Sequence, residues 1–598
     1  RDPPRVHVCA ADAPSAAPPP TCNFVCAAPE PHVLANCSPR YARATTGTLL
    51  ASKEAHRRAA LPCAVTLRPV AKRRDGEPPI KLADFGAAGP PRCSRCGGFV
   101  SCFSRWDTRG DRWTCHLCGA ANDAPGWYAH PGDASGRRAD AFHRPELRDA
   151  SVDFVVRGQY KVRDQRPVAA AIIDLSLDDE TLRGVLEACR EFLTGCGEAR
   201  LGLCTFGQDG AAHVWRRGVS GPAVAATREG FCPFAEAAWL LDAEAAADAL
   251  DAVLKLARSL NGQIGPGKGG DVALEAAVDG LSKSGGRVIV AAATPPTRDL
   301  RSMALRCHEA RVSVDVFWFD QTNQADSRSA AALGSACRAT GGRLCYLAGN
   351  DVEGFRADLA TAVFDYFPDP DAPPPSAEAI DAAEGRCYAH DCTLKIRCSS
   401  GLAVQRVLGP GVVENFADER DVASVRDAST FLIELERTGD LEAGSRAHVQ
   451  CALLHTCPAT GRRLVRVHNV ALRVAAKAAD HYKFADVECI FAALLKAAAV
   501  DAGVAEAALA SDDAAEAAAP VAADGLKKAR DALVVRCVDA LYEYRVACAS
   551  RSPPGQLILP ESIKLLPLRC LGALKGPLLR GDARSAPGPD ACARAAAA

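Results

Sequence analysis

Four cysteines, Cys93, Cys96, Cys115 and Cys118, fall as two Cys-x-x-Cys pairs with eighteen residues between them. A pair with two intervening residues can direct both thiolates at one tetrahedral ion, and a second pair on an adjoining hairpin completes the coordination sphere. With all four positions filled by protein, the spacing predicts a structural zinc site, because a catalytic zinc keeps one position for water. Gly97 and Gly119 follow the two pairs and suit a tight knuckle beneath the sulfurs, where positive φ is needed. A redox Cys-x-x-Cys would stand alone rather than in duplicate.

A chain of 598 residues has length for several domains, each with its own core. Its formal charge of −1 argues against a dedicated nucleic-acid binder, which carries a strong basic excess. Charge is nevertheless concentrated locally: from Arg40 to Arg74 nine Lys or Arg meet one acid, Glu54, a net +8. The 27 cysteines, outside the paired cluster, are scattered singly in apolar runs, as free buried cysteines are in a reducing compartment. No run of about 18 uncharged apolar residues is present, so no membrane-spanning helix is expected.

Organisation follows from the changing texture. Residues 1–21, rich in proline and alanine, read as a disordered leader, and 581–598 as a disordered tail. Short extended pieces occupy 22–88, ahead of the zinc module at 89–130. From Val168 the pattern alternates. Val168 to Leu175, Leu201 to Phe206, Arg287 to Ala293 and Val312 to Phe319 read as buried strands; Glu180 to Leu193, Ala243 to Leu260, Val272 to Lys283 and Thr297 to Arg311 read as helices. Such alternation predicts a doubly wound α/β trunk over 150–370 with a parallel sheet. A connector rich in proline and acid, Pro368 to Pro375, precedes antiparallel-looking strands over 376–475, with a turn at Gly461. Helical texture fills 476–580, interrupted by a polar low-complexity insert around Ala508 to Gly525.

The segment Arg92-Cys-Ser-Arg-Cys-Gly97, then Arg112-Trp113-Thr-Cys115-His-Leu-Cys118 and Asn122-Asp123, resembles the zinc module of the COPII inner-coat subunits. Arg144-Pro145-Glu146-Leu147, Ser151-Val152-Asp153-Phe154-Val155 and Tyr160-Lys-Val-Arg163 are similar to the approach to the trunk in that family's cargo-selecting adaptor. Gly285-Gly286-Arg287-Val288-Ile289-Val290, Thr340-Gly341-Gly342, Gln450-Cys-Ala-Leu-Leu454, Arg466-Val467-His468, Tyr544-Arg545 and Gly555 to Glu561 agree in order. The resemblance implies a zinc module, a von Willebrand A-like trunk, a discontinuous β-barrel formed by 22–88 and 376–475, and a helical domain. Family members continue into a gelsolin-like domain beyond the region matched here.

No catalytic constellation stands out. His116, His308, His455 and His468 lack a nucleophile at a recognisable spacing and read as satisfied histidines. Asp174-Leu-Ser176-Leu-Asp178 sits where adhesion-type A domains bind a divalent ion, but Asp178 replaces the second serine, Gly269-Gly270-Asp271 offers no threonine, and Thr294 stands at the next carboxylate position. A structural strand end is the better reading. The glycine run Gly262 to Gly270 fails the P-loop pattern, since Lys268 is followed by glycine.

The resemblance therefore implies a non-enzymatic adaptor that selects cargo for transport from endoplasmic reticulum to Golgi. Its implied partners are the GTPase-activating coat subunit, a membrane-bound small GTPase, cytosolic tails of cargo and SNARE proteins, and an anionic membrane surface contacted peripherally through the basic stretch; nucleic acid is not among them. In that family an arginine on each flank of the first Cys-x-x-Cys captures acidic export signals. Arg92 keeps the first flank, Gly97 occupies the second, and Arg95 lies inside the knuckle; the equal alternative is that Arg92 and Arg95 are solvated surface charges. Two rivals remain: the GTPase-activating subunit of the same coat, and a zinc-ribbon protein that binds nucleic acid.

Overall fold

The structure, a computed structural model, describes residues 36–579 except 74–76, 78, 158–167, 195–200, 208, 219–220, 225–229, 261–268, 295–299, 321–326, 349–350, 361–387, 412–415, 458–461, 502–522, 554, 557 and 577–578. The expected leader, connector, Gly461 turn, most of the low-complexity insert and the tail lie outside the described residues, as do Tyr160 to Arg163 and most of the Gly262 to Gly270 run.

The trunk is built as its alternation predicts. Strands Leu201–Phe206, Val168–Asp174, Gly286–Ala292, Val312–Asp320 and Leu344–Ala348 lie side by side in that order, all parallel, and antiparallel strands extend the Leu201–Phe206 edge. Successive side chains of a strand point to opposite faces. Ala170 and Ile172 accordingly enter one core, under helices Gly270–Gly280, Leu300–Ala310 and Ser327–Ala339, whereas Ala169, Ala171 and Ile173 enter a second core, under Asp179–Thr194, Ala243–Leu260 and Val352–Ala360. Both faces being covered explains why these strands show no polar alternation.

The second body is a sandwich of two sheets around one core. Its smaller sheet runs Ala42–Ala44, Ala64–Leu67, Phe431–Arg437, Leu402–Leu408; its larger runs Glu419–Arg426, Tyr388–Cys398, Arg446–Thr456, Arg463–Ala475, Ser151–Val155, Lys81–Asp84, with Thr48–Leu50 paired to the far end of Arg463–Ala475. The discontinuous barrel is thus two facing layers drawn from chain segments far apart in sequence. One expectation is corrected here. Ser151–Val155, assigned from sequence to the trunk region, pairs antiparallel with Leu464–His468 and belongs to the sandwich sheet. A buried ion pair fixes it there, since Nε and Nη2 of Arg466 donate to Asp153 at 2.8 and 2.7 Å.

Trunk and sandwich meet around a charge buried inside a trunk strand. Asp315 is fully enclosed, accepts from Arg287 of the neighbouring strand and from Arg426 of the sandwich, and receives the Arg343 N–H at 2.8 Å. Gly341 lies at the same junction: a Cβ there would stand 2.0 Å from the Ser424 carbonyl oxygen, and its φ of 84° lies in the left-handed region. Helices Val487–Asp501, Ala523–Cys548 and Leu566–Lys575 form the remaining body, packed on Leu50, Ala59 and Leu61. Among the described residues no helix is long and apolar enough to cross a membrane.

Replacing Asp315 by Ala leaves two enclosed guanidiniums without their carboxylate, and loss of one partner of a buried pair costs about 3–5 kcal/mol. Chemical denaturation is expected to show that loss in the trunk transition, while Glu353→Ala at an exposed pair stays within about 0.5 kcal/mol. A second expectation concerns acid. Burial pushes His455, His468 and His481 down to about 4. Below about 6.5 the unfolded chain takes up protons at these rings while the folded one does not, so stability falls as pH drops from about 6.5 toward 4. His468→Gln is expected to lessen that slope by about one proton; an unchanged slope in melts across this window would refute it.

Candidate metal centre

Two knuckles with the same backbone pattern bring the four cysteines together. In the first, the Cys93 N–H donates to the Gly98 carbonyl at 2.8 Å and the Gly97 N–H to the Cys93 carbonyl at 2.9 Å; in the second, Cys115 donates to Ala120 and Gly119 to Cys115, both at 2.9 Å. Gly97 and Gly119 have φ of 66° and 71°, as the turn beneath the sulfurs requires. Cys93 and Cys118 sulfurs stand 3.5 Å apart, Cys96 and Cys115 sulfurs 3.7 Å, and all four lie within 4.8 Å of one another.

That donor set fits zinc. A tetrahedron with arms of about 2.3 Å has edges of about 3.8 Å, close to the observed spacing. The electrostatics agree. Burial acts to raise the Cys93 thiol, but N–H groups of Cys96 and Arg95 and the Asn122 amide outweigh it and bring it down to about 6. Burial pushes the Cys96 and Cys115 thiols up. Four sulfurs this close cannot all ionise unless a cation shares their charge. Asn122 is the outer support: its amide nitrogen lies 3.5 Å from the Cys93 sulfur while its oxygen accepts from the Ser94 N–H at 2.8 Å and the Ser94 hydroxyl at 3.0 Å.

The module rests on a three-stranded sheet, Arg105–Trp106, Arg112–Thr114 and Ala121–Asp123, with Trp106, Trp113, Leu117 and Tyr128 in its core. The Arg138 guanidinium is held 4.5 and 4.4 Å from the Trp106 and Tyr128 ring centres and pairs with Asp140 at 2.6 Å. Docking onto the sandwich runs through Gln450. Its side chain is fully buried, accepts from the Phe99 N–H at 2.8 Å and donates to the Phe99 carbonyl at 3.1 Å, as a neighbouring strand would.

Of the two sequence-predicted binding residues, Arg92 lies along the first knuckle: its Nε donates to the Gly97 carbonyl at 2.8 Å and its guanidinium lies 4.8 Å from the Phe99 ring centre. Arg95 is an exposed side chain on the same knuckle. Sequence reasoning missed a third arginine. Arg397, on strand Tyr388–Cys398, donates from Nε to the Cys96 carbonyl at 3.0 Å, and a Cβ at Gly97 would stand 3.0 Å from Arg92 Nη2 and 3.5 Å from Arg397 Nη2. Two guanidiniums therefore converge over Gly97. Burial, then Arg92, lowers the Arg397 guanidinium, and among the described residues its Nη1 has no hydrogen-bond partner. No local sequence signal marks Arg397, because it comes from a strand about 300 residues away.

The remaining candidates resolve into structure. Asp174 accepts from the Ser176 N–H and hydroxyl and from the N–H groups of Ala293 and Thr294, so its oxygens are occupied by hydrogen bonds that close the strand end. Asp178 caps the following helix through the N–H groups of Glu180 and Thr181. His468 is bonded through both ring nitrogens, to Ser151 and to the Pro69 carbonyl; His455 contacts the Leu453 carbonyl, His116 the Ser101 hydroxyl, and His308 is buried. Part of the basic stretch is paired: Arg40 with Glu77, Arg43 with Asp486 and Glu488, and the exposed Arg57 and Arg58 with Glu54 on their own helix.

Three domain models match the chain: the Sec23/Sec24 zinc finger at residues 90–128, the Sec23/Sec24 beta-sandwich domain at 389–475 and the Sec23/Sec24 helical domain at 504–595. The chain is 26% identical to protein transport protein SEC24 B of Arabidopsis thaliana, over 92% of its length and 50% of that protein. It is also 26% identical to protein transport protein Sec24C of Homo sapiens, over 92% of its length and 51% of that protein, so it spans about half the length of these curated relatives. The crystal structure of the human COPII-coat protein Sec24c shares its fold, with a TM-score of 0.77 at 24% identity over 94% of this chain and 75% of that one. Domain models of the Sec23/Sec24 zinc finger, sandwich and helical bodies match the chain, and along nine-tenths of its length it is similar to Sec24 proteins.

Proposed function

We propose that this chain is a non-catalytic, cargo-selecting adaptor of a COPII-type coat, acting on the cytosolic side of the endoplasmic reticulum. The observation that carries the reading is the alignment with Sec24 proteins across trunk, zinc finger, sandwich and helical bodies together. Its partners would be the GTPase-activating coat subunit, the membrane-bound small GTPase, and cytosolic tails of cargo and SNARE proteins. Contact with anionic membrane would be peripheral and would use exposed basic residues of that stretch such as Lys53, Arg68 and Lys72. Relatives carrying the Sec24 name favour this reading over the GTPase-activating subunit, and the three domain models favour it over a nucleic-acid ribbon.

In this reading Cys93, Cys96, Cys115 and Cys118 hold one structural zinc, which joins two knuckles and supplies no reactive position. Recognition falls to Arg92 and Arg397. A carboxylate of an acidic export signal would meet guanidiniums from two directions above Gly97, and Arg95 could join from the knuckle's exposed side. The absence of a side chain at Gly97 leaves that approach open.

Size exclusion of the purified chain with the GTPase-activating coat subunit is expected to give a one-to-one complex carrying one zinc per chain. Separate elution of a folded chain would defeat the adaptor reading, and a complex without zinc would defeat the metal assignment. Cys115→Ser is expected to lose the metal and the docked module together. An acidic-signal peptide is expected to bind about tenfold more weakly to Arg92→Ala and to Arg397→Ala. Unchanged affinity in both variants would return these arginines to the role of surface charges.

A further inference from the structure

Beside the second knuckle, a cleft of about 680 Å³ opens between the zinc module and the sandwich. Its wall carries Arg105, Arg137 and Arg138 from the module and Arg446 from the start of strand Arg446–Thr456, together with His116 and His448; no aspartate or glutamate lines it. Arg138 is neutralised by Asp140, and its Nη1, fully buried, has no hydrogen-bond partner among the described residues. Arg105, Arg137 and Arg446 have no ion pair among the described residues. The ring of His448 is packed against Phe103 and His116 at 5.0 and 5.3 Å, and its Nδ1 is likewise buried and unpartnered.

Concentrated cations cost energy unless something compensates them. Burial, then Arg446 and Arg105, lowers the His448 imidazole to about 4, so this ring stays neutral and can serve as a hydrogen-bonding group rather than a further charge. Three guanidiniums without an ion pair, of which Arg137 alone feels a carboxylate, Asp133, call for more than one negative charge, and a single carboxylate brings one. A phosphate monoester brings nearly two charges and three strong acceptor oxygens, and guanidinium forks meet such oxygens in pairs. The cleft's size falls within the range of sites that hold small molecules.

We propose that this cleft is a binding site for a ligand bearing two or more phosphates, held by Arg105, Arg137 and Arg446. The shared chemistry is a clustered pair of phosphates, whether free in solution or on a lipid headgroup. The site is separate from the Arg92 and Arg397 pair at the first knuckle, and it does not depend on the adaptor reading.

Calorimetric titration of the zinc-loaded full chain with inorganic pyrophosphate tests it, with citrate as a carboxylate of similar charge. Saturable pyrophosphate binding is expected, weakened about tenfold by Arg446→Gln and by Arg105→Gln, both exposed residues, and unchanged in Arg112→Gln, which lies outside the cleft. Vesicles with and without a bisphosphorylated inositol lipid distinguish the source. Retention on the phosphorylated vesicles alone that Arg446→Gln abolishes assigns a headgroup, and pyrophosphate binding without such retention assigns a free ligand. Equal affinity for citrate, equal loss in Arg112→Gln, or no saturable binding by the folded protein overturns the proposal.

Discussion

The architecture depends on strand pairing between segments 364 to 425 residues apart. Ala64–Leu67 lies antiparallel to Phe431–Glu434, and Thr48–Leu50 lies parallel to Arg473–Ala475. Without the early segment the smaller sheet loses half its strands, and the core containing Val65, Leu67, Phe431 and Ile433 opens to water. Closing so long a loop carries an entropic cost that local contacts cannot offset, so the sandwich gains stability only once these two segments have met. The zinc module and trunk are, in topology, excursions between sandwich strands: the chain leaves after Lys81–Asp84, returns as Ser151–Val155, leaves again and returns as Tyr388–Cys398.

Each excursion is tied back by a buried polar side chain. Gln450 imitates a missing strand for Phe99, and Asp315 joins Arg287 within the trunk to Arg426 of the sandwich. Such pairings add little net stability compared with apolar contacts, but they fix relative placement, because any slip leaves an enclosed charge or amide unsatisfied. Gly341 serves the same end sterically, by allowing the Ser424 carbonyl to approach where a side chain would intrude.

The parts legible in the sequence are those whose signal is local. Both knuckles could be read from cysteine spacing and the glycines after it, and the trunk from apolar runs alternating with helical ones. Ala243–Leu260 coincides with its sequence expectation, and Leu300–Ala310 falls within the helix expected from Thr297 to Arg311, whose first residues lie outside the described ones. What could not be read was written in distant pairings. Ser151–Val155 is buried like a trunk strand, and its pairing with Leu464–His468 reveals its sheet. Asp315 is masked inside a hydrophobic run, and the basic excess from Arg40 to Arg74 overstates the exposed charge, because Asp486, Glu488 and Glu77 neutralise part of it from elsewhere.

The same distance explains how a structural ion could govern recognition without touching a ligand. At the first knuckle Arg92 comes from the zinc module and Arg397 from the sandwich; beside the second, Arg105 and Arg137 come from the module and Arg446 from the sandwich. Neither group of guanidiniums exists in either body alone. Each forms only when the knuckles are set and Gln450 has seated Phe99, and cations drawn from two bodies can be held close only because the backbone beneath them is rigid. A zinc joining the knuckles would thus act at a distance of one docking step: it would fix the surface against which the sandwich presents its arginines, and both proposed anion sites would follow from that single registration.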